Sequence, residues 1–160
     1  MPRTLPLLAL VCAIGLLLAA CATPTARGTI TIERQHAERF AGALNDYRRS
    51  KGLGPVRVDS RLMAAAEEQA RAVAAIDRLD HNASGRFPSR LHRNGVDARA
   101  AFENLAAGDR EPIAALASWR ASPAHHDNLL RPEATRIGFV RASAPQTRYR
   151  TFDVLVLASD

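Results

Sequence analysis

The chain has 160 residues, which is enough for one domain with a hydrophobic core and too few for two ordinary domains. It carries 22 lysines and arginines against 16 acidic residues, a formal net charge of +6, and nearly all of the basic charge is arginine. Because the arginines alternate with acids and alanines, without a basic stripe interleaved with aromatic residues, the composition argues against a nucleic-acid-binding protein.

The N-terminus has the pattern of a signal peptide. Arg3 precedes an apolar run, residues 5–20, that is too short for a good membrane span. The sequence Leu-Ala-Ala before Cys21 resembles the lipobox of bacterial lipoproteins, in which the cysteine is diacylated and becomes the first mature residue. We expect a signal peptide at 1–20 and a lipid-anchored tether at 21–32. Cys12 would be removed, so the mature chain could form no internal disulfide.

The expected anchor predicts where the protein resides. Ala22 resembles the residue that follows the lipidated cysteine in outer-membrane lipoproteins of diderm bacteria. We therefore expect a bacterial cell-envelope protein, anchored through Cys21 in the outer membrane and facing the periplasm. Residues 22–28 span only about 20 Å when extended, so the domain should lie close to the bilayer.

Helical periodicity follows the tether. The spacing of apolar residues predicts a helix over 33–50 and a second over about 59–79, which Asp59 or Ser60 can cap. His81 then lies just beyond the second helix.

The middle of the chain is rich in turn-forming residues. Residues 82–95 predict a loop region with a short helix starting at Phe87. A further helix is predicted over 109–121, and Ser122 and Pro123 should stop it.

The last part of the chain changes to strand periodicity. Residues 136–140 and 149–157 predict two strands joined by a turn, an antiparallel hairpin. The unbroken apolar run 154–157 indicates that the last strand is central and covered on both faces. Because helices precede strands, the order favours an α+β layered domain over alternating βαβ units.

Three residues could carry chemistry: His81, Glu103 and His125. Two imidazoles and a carboxylate can bind a divalent cation such as Zn²⁺ or shuttle protons near neutral pH, although two histidines alone would make a weak or water-rich metal site. Glu103 could orient an imidazole or act as a general base, or it could cap a turn or pair with an arginine. A serine hydrolase using Ser122 is disfavoured because Pro123 follows it and no Gly-x-Ser-x-Gly motif occurs.

Several motifs, in order, carry a family resemblance. They are Leu79-Asp80-His81, Gly85, Arg90-Leu91, Gly95, Glu103-Asn104-Leu105-Ala106-Ala107-Gly108, residues 119–130 (Trp-Arg-Ala-Ser-Pro-Ala-His-His-Asp-Asn-Leu-Leu) and Ile137-Gly138. This combination resembles the bacterial SCP-like branch of the CAP superfamily, which includes cysteine-rich secretory proteins, venom antigens and pathogenesis-related proteins. The resemblance implies a CAP-like domain over 33–160, a three-layer α-β-α sandwich with a small antiparallel sheet of three or four strands. It also implies an open cleft where the residues matching His81, Glu103 and His125 converge.

Four neighbours are expected to support this cleft. Asn104 should bond loop backbone, Ser122 should cap the turn that holds His125, and Asn128 should do the same further along. Trp119 should lie in the core with its indole N–H satisfied at the cleft wall. The remaining histidines, His36, His92 and His126, are expected to be polar surface residues.

The chain departs from the family pattern in two places. Phe102 stands where the family often has glycine, and it could pack under the cleft or narrow it. Arg120 follows Trp119, where many members carry a second acid. Glu111 and Asp127 are the nearest substitutes.

These observations leave three functional hypotheses. The leading one is a non-enzymatic cell-envelope module that binds a small ligand, a lipid or a protein partner through the cleft. The second is a weak hydrolase of an envelope component that depends on a divalent metal held by His81 and His125. The third is a structural envelope protein whose site is vestigial.

Overall fold

The computed structural model describes residues 28–160; the expected signal peptide and most of the tether lie outside this range. The elements are β1 (Thr31–Glu33), α1 (Ala37–Arg49), β2 (Arg57–Val58), α2 (Ser60–Ile76), α3 (Phe87–Arg93), β3 (Ala101–Ala107), α4 (Ala114–Ala121), α5 (Pro123–Leu129), β4 (Arg136–Ser143) and β5 (Thr151–Ala158). Within residues 28–160, no helix is long and apolar enough to cross a bilayer.

The sheet has four antiparallel strands in the order β1-β4-β5-β3, and the two-residue β2 pairs parallel to β4. The predicted hairpin of β4 and β5 is confirmed, and β5 is central as its apolar run indicated. β3 is at one end of this order, so it is an edge strand of the described sheet. This edge position matters for the site.

Helices cover both faces of the sheet, which confirms the three-layer sandwich. One core joins α2 to the β5 residues Phe152, Val154 and Val156. A second core joins α1, α4 and α5 to the alternate β5 residues, Leu155 and Leu157. Segment 28–160 therefore contains the sheet, both helical layers and both cores, which is what a domain needs to fold on its own.

Several predicted helix boundaries are wrong, because residues at the ends of the predicted helices form a strand or a turn instead. The first helix begins at Ala37 because residues 31–33 pair with β4 instead. α2 is capped by Asp59, whose carboxylate accepts two backbone N–H groups, and it ends at Ile76 because Asp77 adopts a left-handed conformation. The helix predicted from residue 109 begins at Ala114.

Two elements near the candidate residues were not predicted. Ser122 and Pro123 do end α4, but Pro123 also begins α5, since proline fits the first turn of a helix. Residues 101–107 form β3, paired with β5 along its whole length. The alanines and polar residues of this stretch have low strand propensity, so the sequence does not predict a strand here. The stretch is a strand because it pairs with β5.

Candidate functional site

Glu103 is the centre of the candidate site. It lies on β3 and faces the α2 layer, opposite Val156 of β5, with a side chain that is only 3% exposed. Its two carboxylate oxygens have different partners. His81 Nδ1 donates to Oε1 at 2.8 Å, and Arg90 Nη2 donates to Oε2. A buried carboxylate is stabilised by such charged donors, so this one is positioned and engaged on both sides.

Arg90 is a site residue whose role sequence analysis missed. It lies on α3 and is fully buried. Its Nη1 donates to Gln69 Oε1 at 2.7 Å and to Ser84 Oγ at 2.9 Å, and it also approaches the backbone oxygen of His81 at 3.3 Å. One guanidinium therefore ties Glu103 to the segment that carries His81. The available signal was a polar residue, Gln69, on the otherwise apolar face of α2.

Gln69 of α2 also hydrogen-bonds the segment that carries His81. Its amide nitrogen donates to the Asp80 backbone oxygen at 2.6 Å, and its oxygen accepts from both the backbone and the hydroxyl of Ser84. The loop after α2 is thus fixed on both sides of His81. Such buried networks hold a side chain in one orientation, and among the donors of Arg90 only Nε is buried without a partner in residues 28–160.

The surroundings of His81 favour its charged form. The hydrogen bond that His81 donates to Glu103 raises the pKa of His81 above its ordinary 6.5, against the opposing effect of burial. Because Nδ1 donates to the carboxylate, Nε2 points away from this bond, and the side chain is 55% exposed. Within residues 28–160, Nε2 makes no hydrogen bond, so it presents an N–H group to solvent when the ring is protonated.

His125 reaches the site from the opposite face of the sheet. It lies on α5, which packs against the edge strand β3. Asn104 Nδ2 donates to the His125 backbone oxygen at 2.9 Å, and Asn128 Nδ2 donates to Asn104 Oδ1 at 2.9 Å. Asn128 also approaches the Glu103 backbone oxygen at 3.4 Å. Among residues 28–160 the His125 imidazole makes no hydrogen bond to His81 or Glu103, and it is related to His81 only through the electrostatic effect that His81 has on its pKa.

The two imidazoles differ in protonation. Burial, together with the positive charge of His81, lowers the pKa of His125 below 6.5. The site therefore combines a histidine that favours its charged form with one that favours its neutral form. This difference in environment is the usual way for two like groups to take an acidic and a basic role.

The expected supporting residues divide into two groups. Trp119 is buried, as expected, and its indole N–H donates to the Leu105 backbone oxygen at 3.0 Å. Asn104 bonds backbone, but that of α5 rather than of a loop. The expected capping roles are wrong: Ser122 occupies the N-cap position of α5 without a side-chain bond, and Asn128 binds β3 instead. The start of α5 is held by a backbone bond from the His126 N–H to the Ser122 oxygen at 2.8 Å.

The residues around α5 also differ from their expected roles. His126 is half-buried rather than a free surface residue, and a 2.8 Å hydrogen bond joins its Nε2 to the Tyr47 hydroxyl. Phe102 lies on the opposite face of β3 from Glu103, with the Arg131 guanidinium 4.7 Å from its ring centre. Asp127 is exposed and lies 3.7 Å from His126, so its nearest charged partner is outside the His81 cluster.

The donor set does not fit a resident metal ion. Within residues 28–160, no three His, Cys, Asp or Glu side chains converge in an arrangement that could hold a cation. Glu103 is engaged by Arg90 and His81, so only the two imidazoles remain as ligands. Zinc sites in proteins ordinarily have three or four protein ligands.

Comparison with known proteins gives one family and several similar folds. The model of the family described as CAP, the cysteine-rich secretory protein family, matches residues 41–158. The uncharacterized protein YkwD of Bacillus subtilis is 28% identical over 96 residues, which cover 59% of this chain and 37% of YkwD.

Two solved structures share the fold. An extracellular SCP-domain protein of Bacillus anthracis has a TM-score of 0.70 at 23% identity, covering 80% of this chain and 41% of that one. An outer surface protein of Borrelia burgdorferi has a TM-score of 0.73 at 21% identity, covering 82% of this chain and 98% of that one. The chain thus spans well under half of YkwD and of the Bacillus anthracis protein, and nearly all of the Borrelia protein.

Proposed function

The chain belongs to the CAP family, the cysteine-rich secretory protein family, and we propose that it is a non-enzymatic binding module of the bacterial cell envelope. The ligand is a molecule that offers an oxygen acceptor, carboxylate or phosphate, to His81. A small metabolite, a lipid headgroup and a protein partner can all supply such an oxygen. The supporting observation is that Glu103 is fully engaged, which leaves the exposed Nε2–H of His81 as the group directed outward.

The charges of the cluster favour an anionic or polar oxygen. Arg90 and protonated His81 carry two positive charges against the one negative charge of Glu103. A charged donor held in place by a buried network forms stronger hydrogen bonds than a free one, because little ordering remains to be done on binding. The lowered pKa of His125 favours its neutral form, which has one ring nitrogen that donates and one that accepts.

The same geometry gives less support to the hydrolase alternative. A general base must be able to take a proton from water, yet both oxygens of Glu103 already accept from charged groups. Metal-assisted hydrolysis would rest on two imidazoles, and we derive no reaction through them.

The binding proposal is tested by nuclear magnetic resonance on residues 22–160. Three probes separate the sources of the oxygen: acetate, inorganic phosphate, and short-chain phosphatidylglycerol below its micelle concentration. We expect the His81 ring to shift on titration with at least one probe, and the shift of the neighbouring amides to vanish in His81→Ala. His92→Ala, which removes an exposed histidine of α3, is the matched control. Three flat titrations would contradict the proposal and leave a structural role.

The envelope location is proposed from the lipobox-like sequence at Cys21, and similar structures are described as an extracellular and an outer surface protein. Cell fractionation tests it. We expect the full chain in the membrane fraction and Cys21→Ser outside it, whereas Cys12→Ser should behave as the parent. A Cys21→Ser protein that stays in the membrane like the parent would contradict the anchor.

A further inference from the structure

The C-terminal end of α2 carries an unusual surface. Among residues 28–160, the exposed large apolar side chains are Ile76 and Leu79, with 46% and 42% of their surface accessible. Arg78 lies between them and pairs with Asp80 at 3.1 Å. Two exposed apolar groups beside a basic residue are more than the scattered single hydrophobics of an ordinary surface.

The loop between β4 and β5 extends this surface. Arg148 donates its backbone N–H to the Asp77 carboxylate at 2.7 Å, which places the loop directly against the end of α2. The guanidinium of Arg148 lies 5.2 Å from the ring centre of Tyr149, and both Arg148 and Arg150 are exposed. We call this set the anchor-proximal surface; it consists of Ile76, Arg78, Leu79, Arg148, Tyr149 and Arg150.

The described chain begins at this same end of the molecule. Thr31 pairs with Ser143, the last residue of β4 before the loop. Gly28 lies so close to Gln146 of the loop that a side-chain carbon at position 28 would overlap it. The tether therefore leaves the domain beside the anchor-proximal surface rather than at the opposite end, where α1 ends.

We propose that the anchor-proximal surface docks on an anionic bilayer and fixes the orientation of the domain. The proposal rests on the proposed lipid anchor at Cys21. From Cys21 to Gly28 the chain reaches about 25 Å at most, so an anchored domain stays at high local concentration next to the headgroups. Arginines attract anionic lipids, and Ile76 and Leu79 can enter the acyl boundary, whereas half-buried Tyr149 packs against Phe152 and lies under the Arg148 guanidinium.

The test uses residues 21–160, in which Cys21 is the sole thiol, coupled to a maleimide lipid in vesicles. Ile76→Trp reports contact with the bilayer through its fluorescence, and Trp119 adds a constant background because it is buried. We expect a blue shift, and quenching by brominated lipid, in phosphatidylcholine vesicles that contain phosphatidylglycerol, and a smaller effect without it. His92→Trp, on the exposed side of α3, should not respond.

Charge variants identify the arginines that dock. Arg148→Gln with Arg150→Gln should lower the ratio of docked to undocked domain about 25-fold at low salt, since each arginine near an anionic surface contributes about a factor of five. Arg39→Gln with Arg49→Gln removes the same charge from α1 and should retain docking. An Ile76→Trp signal indifferent to phosphatidylglycerol, or equal losses in both double variants, would overturn the proposal. Because the coupling is chemical, this outcome is independent of whether cells acylate Cys21.

Discussion

Two buried arginine–carboxylate pairs lie on opposite faces of the sheet, and they differ in whether the carboxylate also binds a third side chain. Arg141 and Asp153 face each other across β4 and β5 with two parallel bonds of 2.8 and 2.7 Å. In the other pair, Arg90 takes one oxygen of Glu103 and His81 takes the other. In the first pair both carboxylate oxygens bind the same arginine, so we call it the closed pair. In the second, one oxygen binds Arg90 and the other binds the half-exposed His81 imidazole, so we call it the open pair.

The surroundings of the two pairs explain this difference. Asp153 lies on a central strand, where burial raises its pKa to about 6 despite the nearby arginine. Glu103 lies on an edge strand, where a loop residue can reach the carboxylate from outside. A buried ion pair is weak evidence for stability, but one that orients an exposed donor has a use in binding.

Breaking the closed pair should have the largest effect. Arg141→Met leaves the Asp153 carboxylate buried without its partner, so we expect the free energy of unfolding to fall by roughly 3–5 kcal/mol. Urea denaturation measures the change, with exposed Arg39→Met as control. The His81 resonances should stay where they are, because Glu103 and His81 lie on the other face of the sheet from this pair. A loss no larger than that of the control would show that the pair is not buried as described.

Weakening the open pair should cost less. Glu103→Gln keeps the shape and one oxygen acceptor but removes the charge that Arg90 faces. We expect a loss of roughly 1–3 kcal/mol in the free energy of unfolding, measured in the same way. If Glu103→Gln destabilised the domain as much as Arg141→Met, the two pairs would be equivalent and the comparison would fail.

Removing the exposed end of the open pair should have a small, pH-dependent effect. The pKa of His81 is higher in the folded state than in the unfolded state, so its contribution is fully present below about pH 6.5 and is lost as pH rises through the folded value. Solvent screens this half-exposed pair, so His81→Ala should cost under about 1 kcal/mol at low pH and nothing at high pH. Urea denaturation of the parent and His81→Ala across this pH range measures the difference in the free energy of unfolding. A difference that grows as pH rises would contradict the raised pKa of His81.

Zinc should produce no strong effect. Residues 22–27 add no His, Cys, Asp or Glu to the described segment, and two imidazoles make an incomplete site. Calorimetric titration of zinc into residues 22–160 should show no micromolar binding. Saturable micromolar binding that is lost in both His81→Ala and His125→Ala would revive the metal-dependent alternative.

The sequence predicts the fold better than the site. Apolar spacing identified α1, α2 and the central β5, and the ordered motifs identified the family. β3 was not predicted because its alanines have low strand propensity. Its position depends on pairing with β5, and the local sequence pattern carries no information about that pairing. α5 was not predicted because the sequence pattern indicates only that Pro123 ends α4, whereas Pro123 is also the first residue of α5.

The site was only partly predictable for the same reason. The resemblance supplied His81, Glu103 and His125, but the partner of the carboxylate is 13 residues away on another element. The motif Arg90-Leu91 was part of the family resemblance, but nothing in the local sequence shows that this arginine is buried or that it bonds Glu103. Its burial depends on Gln69 and Ser84 meeting it, and this is a property of the tertiary structure.

The central claim is that Glu103 raises the pKa of His81 whereas burial lowers the pKa of His125. The direct test is a pH titration of both imidazole rings by nuclear magnetic resonance, in residues 22–160 and in the Glu103→Gln variant. The account predicts a pKa for His81 above 6.5 and for His125 below it, with the His81 value falling in the variant. Two histidines that titrate together, or a His81 pKa that Glu103→Gln leaves unchanged, would contradict it.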